Sequence, residues 1–319
     1  MIGFAEKLAA MALKLLAVSL LVYAVLEVNS SEVAVKVLGQ FSTEAQRSGW
    51  LHTHGYDAPF MLRYLRWLGA FVRGDWGVST HYRIPVIQIV PHRLLATAWL
   101  ALLTLLVMVP LGLGLGILSG VFSDTPIDRT ISTLSIVTTS IPDYASCAFL
   151  SAIFVVGLRW LPGASTMTDG LSLRQMVLPV MVLSLYSTGY IARITRSAMR
   201  EELRRPYIRT ARLKGASRAR IVLRHALRNA LLAPVTVIML QIPWLLSGVI
   251  VVEVFFAYRG FGSLLYEAAL NSDLPVIEAC TMLSVIVVGV TQQVSDTLNA
   301  WLNPRLRRLT VAPFRTAAT

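Results

Sequence analysis

The chain has 319 residues, of which 55% are hydrophobic and 14% charged, with a formal net charge of +12 and a mean hydropathy of +0.64. Soluble domains carry about a quarter of their residues as charges, so an ordinary soluble fold is excluded. Two cysteines, Cys147 and Cys280, offer neither a disulfide framework nor metal-ligand spacing.

Uncharged runs give six candidate spans in chain order. The first, Leu8 to Leu26, is broken only by Lys14. A cleaved signal peptide would have similar length, but no strong A-x-A site follows in "VYAVLEVNSSE", and an anchored helix is the simpler reading. Residues 29–93 hold no span. Within them "HTH" (His52 to His54) places two imidazoles together without a third ligand, and no metal site is expected. The second run is Leu94 to Ser123, 30 residues long. It contains "GLGLG" (Gly112 to Gly116), where small residues permit close helix packing, and no phosphate-binding G-x-x-x-x-G-K-[ST] occurs anywhere in the chain.

Thr130 to Leu158 follows, interrupted only by Asp143, and then Gln175 to Ala192, Asn229 to Val252 and Ala279 to Ser295. About 20 helical residues cross a bilayer core of about 30 Å, and lipid offers no partner for unpaired backbone groups. The expected fold is therefore all-α, a polytopic membrane protein with six transmembrane helices.

A charge at the bilayer centre costs about 2.5 to 3.5 kcal/mol on insertion scales, so acids inside the runs stand out. Asp143, beside Pro142, falls near the middle of the third run. It either lines a cargo path and selects a cationic group, or makes a helix-interface hydrogen bond or pairs with a neighbour's arginine. Glu253 lies near the outer end of the fifth run, as a second path candidate or a residue reaching the interface.

With six spans both termini share one side. That side carries 18 Lys and Arg and the other ten, seven of which fall in the long segment 29–93. Short loops near span ends dominate orientation, so both termini and the Arg193 to Arg228 segment are expected in the cytoplasm. The same rule accounts for the positive net charge without nucleic acid.

From Tyr207 to Leu232 the chain has six arginines, one lysine and no acid. Pro206 suits a first helical position, and Gly215 followed by Ser217 reads as a helix stop and a new N-cap. Two helices with a break at "KGAS" are expected. In the second, Ala219, Val222, Leu223, Ala226, Leu227, Ala230 and Leu231 form one apolar stripe, and Arg220, Arg224 and Arg228 another. The first is short and basic; on physical grounds it suits docking into a soluble protein's groove or lying on anionic lipid.

"YIRTARLKGASRARIVLRHALRNAL" resembles the cytoplasmic loop of ABC importer permeases, in the form typical of their dipeptide, oligopeptide and nickel branch. On the pattern E-A-A-x-x-x-G, Arg209, Thr210 and Ala211 take the first three positions and Gly215 the glycine; Arg228 stands where many families have proline. "GYDAPFMLRYLRWLGAFVRGDWGVS" resembles their outer segment, and "SIPDYAS" and "RWLPG" the third span and the turn after it. "EVFFAYRGFGSLLYEAALNSDLPVIEA" resembles the outward loop, and "VSDTLNAWLNPRLR" the C-terminus. Together these cover roughly Gly55 to Arg308. "VNSSEVAVK" and Arg259 differ from the usual pattern.

The resemblance implies a type I importer permease fold: a first span in residues 1–28, an extracytoplasmic segment 29–93, a five-helix core 94–302 with a docking loop at about 193–228, and a cytoplasmic tail 303–319. It implies a transport subunit of the bacterial inner membrane, without catalysis or a cofactor of its own. A second homologous permease, two ATPase subunits that bind ATP and Mg, and an extracytoplasmic substrate-binding protein are its implied partners. Tyr207, Arg209, Thr210, Ala211, Arg212, Lys214, Gly215, Ala216 and Ser217 are the implied ATPase-docking residues. Peptides lead as cargo, with nickel or metal chelates and opine-like or glycoside compounds as alternatives.

Two readings of another class compete with this one. "GAST" (Gly163 to Thr166) with His225 and Asn229 resembles a membrane serine protease, but Ser165 and His225 are expected on opposite faces, out of hydrogen-bond reach. A self-sufficient channel or secondary transporter is disfavoured by the absence of a visible inverted repeat and by the elaborate basic loop.

Overall fold

A computed structural model describes residues 4–27, 34–35, 37–53, 55–167, 170, 172–246 and 249–302. His54 and the expected tail 303–319 lie outside these. Among the described residues the chain is helical, with a single isolated bridge between Val78 and Pro85. The helices are α1 (Phe4–Glu27), α2 (Glu44–Thr53), α3 (Phe60–Val72), α4 (Val86–Val121), α5 (Pro126–Ser140), α6 (Asp143–Gly157), α7 (Leu173–Leu203), α8 (Pro206–Leu213), α9 (Arg218–Ala230), α10 (Leu232–Leu246), α11 (Ile250–Phe255), α12 (Phe261–Leu270) and α13 (Leu274–Leu302).

Among the described residues three helices are long and apolar enough to cross a membrane: α4, α7 and α13 over Leu274–Leu298. Two bent pairs also qualify, α5 with α6 and α9 with α10, so length and apolarity account for up to five spans. The first expected span, Leu8 to Leu26, falls on α1, whose apolar stretch Met11–Val25 is shorter than the others and is not counted among those five.

The third expected run is not one straight helix: α5 and α6 meet at 105°. Pro142 has no N–H to donate and disfavours helical backbone in the residue before it. Ile141 accordingly sits at φ −89°, ψ 123°. Asp143, expected near the middle of a span, is instead the first residue of α6, where a carboxylate suits the positive end of the helix dipole.

The chain divides into two compact units. Among the described residues one holds 98–259 and 290–302, and the other holds 4–97 and 260–289.

The first unit is organised on α7. Gly112, Gly116 and Gly120 of α4, spaced four apart, face Ile191, Thr195 and Met199 of α7, also spaced four apart. A methyl at Gly112 would lie 2.8 Å from the Ile191 Cβ, and one at Gly116 would lie 2.6 Å from the Ala192 carbonyl oxygen. Gly114, on the other side of α4, meets nothing. Gly189 of α7 lets α5 approach in the same manner, since a methyl there would lie 2.9 Å from the Ser135 carbonyl oxygen. Small residues at this period let membrane helices pack backbone to backbone. Gly116→Val is expected to cost about 1 to 3 kcal/mol through overpacking, read as a lower thermal midpoint of the purified protein, whereas Gly114→Ala leaves the midpoint unchanged.

In the second unit, Val86, Val90, Phe261, Leu264, Val276 and Cys280 are fully buried together, with Phe71 and Trp76 packed against them. The loop entering α4 is tied to the segment between α12 and α13. Buried Asp273 accepts from the Ser79 hydroxyl and from the N–H groups of Thr80 (3.2 Å) and His81 (3.3 Å). Tyr82 donates to Glu267; burial and that carboxylate push its hydroxyl up to about 12, so it stays a donor.

Candidate functional site

The candidate docking element is a helix, a sharp stop and a second helix. Pro206 occupies the first turn of α8 as expected. At its end the Gly215 N–H reaches the Arg212 carbonyl (3.0 Å) and the Ala216 N–H the Ala211 carbonyl (3.1 Å). This is a Schellman closure, with Gly215 in the left-handed region at φ +78°. Ser217 then caps α9, its hydroxyl accepting from the Arg220 N–H at 3.4 Å.

One side of this element is seated on the first unit. Ile208 is 1% exposed and packs with Met199, Ile221, Ala226 and Ala230, with Ala211 and Ala216 beside them. The Tyr207 hydroxyl donates to Glu202 at the end of α7 (2.5 Å) and accepts from the Asn229 amide in α9 (3.1 Å). Burial and the Glu202 carboxylate hold that hydroxyl above its ordinary pKa, which keeps its proton in place. Arg205 closes on Glu202 from the other side at 3.0 Å. The opposite side is open: Arg209, Thr210, Arg212, Leu213, Lys214, Gly215 and Ser217 are exposed, Leu213 at 81%.

The expected apolar stripe of α9 needs correction. Ile221, Ala226 and Ala230 are its buried residues, while Leu223 is 66% exposed and Ala219 also faces out. The reason is a π-helical stretch at Ile221–Ala226. Its i→i+5 bonding rotates the buried face away from the 3.6-residue phase.

A second candidate site is a cavity of about 600 Å³ at the α5–α6 bend, lined by Thr139, Ser140, Asp143, Tyr186, Gln241 and Trp244 among others. Asp143 is half-buried there and has no hydrogen-bond or ion-pair partner among the described residues. Thr139 and Ser140 donate to carbonyls of their own helix, and the Gln241 amide donates to Ser187 at 3.4 Å. Glu253 is fully buried in α11 and is not among the residues lining this cavity. Ser165, of the discarded protease reading, donates to the Gln175 carbonyl at 2.5 Å, so its hydroxyl is already committed.

The model of the binding-protein-dependent transport system inner membrane component family matches residues 112–308, well over half of the chain. The chain belongs to this family. It is a permease subunit of an ABC importer, a multi-pass component of the inner membrane and not an enzyme. The permease is 31% identical over 299 residues to the oligopeptide transport system permease protein AppB of Bacillus subtilis (strain 168), covering 92% of this chain and 95% of that one. It is 36% identical over 255 residues to the glutathione transport system permease protein GsiC of Salmonella paratyphi A (strain ATCC 9150 / SARB42), covering 79% and 81%. A chain of the inward-facing MetNI methionine ABC transporter superimposes with a TM-score of 0.51 at 19% identity, covering 68% of this permease and 95% of that chain. That likeness shows a shared fold.

One feature of the permease escaped sequence reasoning. Asp128, 1% exposed in the first turn of α5, receives a two-pronged contact from Arg196 of α7 (2.5 and 2.7 Å). It also accepts from the Ser119 hydroxyl and the Asp124 N–H (2.9 Å). A planar guanidinium matched to both carboxylate oxygens fixes orientation as well as charge. The cluster ties the turn between α4 and α5 to α7 one turn below Arg200, which itself pairs with Asp124 at 2.9 Å. The available signal was an acid pair, Asp124 and Asp128, in a chain whose α7 repeats Arg193, Arg196 and Arg200.

Proposed function

We propose that this permease forms half of the translocation path of an importer for peptides or related small solutes, and that residues 207–217 are where an ATPase subunit grips it. The observation that carries the reading is the two-sided docking element. It is anchored beneath by Ile208 and Tyr207, and it presents an exposed basic tip closed by Gly215. A helix held this way transmits movement of a partner to α7 and α9 as a rigid body. ATP binding on the partner shifts the permease between inward-open and outward-open states only if these contacts differ between the two.

In this reading two ATPase subunits bind ATP and Mg, a second homologous permease completes the path, and an extracytoplasmic binding protein delivers cargo. Both termini and the basic loop face the cytoplasm, in keeping with the distribution of Lys and Arg. Peptide cargo is supported by the oligopeptide and glutathione systems to which the relatives belong. Nickel or metal chelates and opine-like compounds are the alternatives within the same architecture.

The cavity at the α5–α6 bend is the proposed path, with Asp143 as its charged wall. An unpaired carboxylate in such a cavity favours an ammonium group, as on a peptide N-terminus. Asp143→Asn is expected to lower uptake of a cargo with a free amine about tenfold, one pairing of about 1.4 kcal/mol, while an N-acetylated analogue is carried equally by both forms. Mass spectrometry of the ligand retained by the partner binding protein identifies which cargo to use. Equal loss for amine and acetylated cargo would remove Asp143 from recognition.

A further inference from the structure

A cleft of about 540 Å³ opens between the ends of α4 and α7 and the helices α8 and α9, and its charged lining is Arg200, Arg204, Arg212 and Arg218, with no carboxylate among the lining residues. Two of the four guanidiniums are held by the chain itself. Arg218 donates to the Val121 carbonyl (3.1 Å) and lies 4.9 Å over the Phe122 ring, and Arg200 pairs with Asp124. The Arg200 Nε–H remains buried without an acceptor. Among the described residues Arg204 and Arg212 have no ion-pair partner. Arg204, Arg212 and Arg218 have no carboxylate partner among the described residues, and cations around one hollow repel one another; the unpaired Arg200 Nε–H adds a further cost.

We propose that this cleft is a binding site for a phosphate-bearing anion, supplied by the headgroup of an anionic phospholipid. Guanidiniums pair with phosphate oxygens two at a time, which suits several arginines converging on one group. Val121 and Leu203 of the lining lie at the ends of two long apolar helices, and Ala216, Ile221 and Val222 add apolar surface from the loop and α9. Leu118 of α4, one turn from Val121, is 41% exposed, so an acyl chain can run along α4 while the headgroup sits among the arginines. The occupant would fill the hollow beside Ala216, Ile221 and Val222, which also border the Ile208 cluster, and so brace the docking element on its seated side.

The test uses the assembled transporter in nanodiscs of equal parts phosphatidylglycerol and phosphatidylcholine, extracted and examined by native mass spectrometry. Phosphatidylglycerol is expected to remain bound to the permease, and Arg204→Gln to reduce its retention about fivefold. Arg204→Lys is expected to restore most of it, and Arg228→Gln, which removes an exposed charge outside the cleft, to change nothing. A second arm adds inorganic pyrophosphate to the transporter in pure phosphatidylcholine. A thermal midpoint raised in the native protein but not in Arg204→Gln, with no lipid retained in the first arm, supports the phosphate site with a soluble occupant. Retention indifferent to Arg204, together with no response to pyrophosphate, would overturn the proposal and leave the cleft to an acidic side chain of a partner protein.

Discussion

Gly215→Leu is expected to leave the permease inserted and folded while ATP-driven uptake falls to background. No atom lies within 4 Å of where a Cβ at Gly215 would stand, so the substitution creates no clash inside the chain. Its effect comes from the backbone: a φ of +78° costs a branched L-residue about 1 to 2 kcal/mol. Relieving that strain opens the turn that joins α8 to α9 and places a bulky side chain on the exposed tip. A docking helix that no longer holds one orientation cannot bias two states differently. Gly215→Asn, which tolerates the left-handed region, is expected to keep most of the uptake. The comparison is made by transport assays on the complete system, with membrane extraction and partner copurification as controls. Normal uptake by the leucine variant would remove the docking assignment.

Arg196→Ala is expected to destabilise the permease by about 3 to 5 kcal/mol, because it leaves the carboxylate of Asp128 buried without its counter-ion. The cost arises from the orphaned charge more than from the lost pair. Replacing both partners together, as in Arg196→Met with Asp128→Leu, is therefore expected to recover much of the loss. Yield from membranes and the thermal midpoint in mild detergent read the difference. If the single variant is as stable as the parent, the pair does not organise this end of α7.

How far such features can be read beforehand depends on how local their causes are. The break in the basic loop was legible because Pro206, Gly215 and Ser217 each act on their own backbone or on neighbours three residues away. The glycine-rich stretch of α4 was legible for a similar reason, since only small residues at a helical period let a neighbour come so close. Hidden by contrast was the right-angled break at Pro142: the run of apolar residues continues through it, and composition alone reads one span. The π-helical stretch of α9 was equally invisible, because the sequence "IVLRHA" suits either helix type and the choice follows from burying Ile221 with Ile208 and Met199. Asp128 with Arg196, and Asp273 with Ser79, join residues far apart in the chain. Nothing near either acid names its partner.

The central claim is that this chain does not move cargo alone but is driven through the element around Gly215. Purification of the tagged chain from its native membranes tests this most directly. The account predicts that two ATPase subunits and a second permease accompany it in fixed proportion, and that cargo-loaded binding protein stimulates ATP hydrolysis by the assembly. The chain recovered by itself, catalysing solute flux across liposomes without ATP, would contradict it.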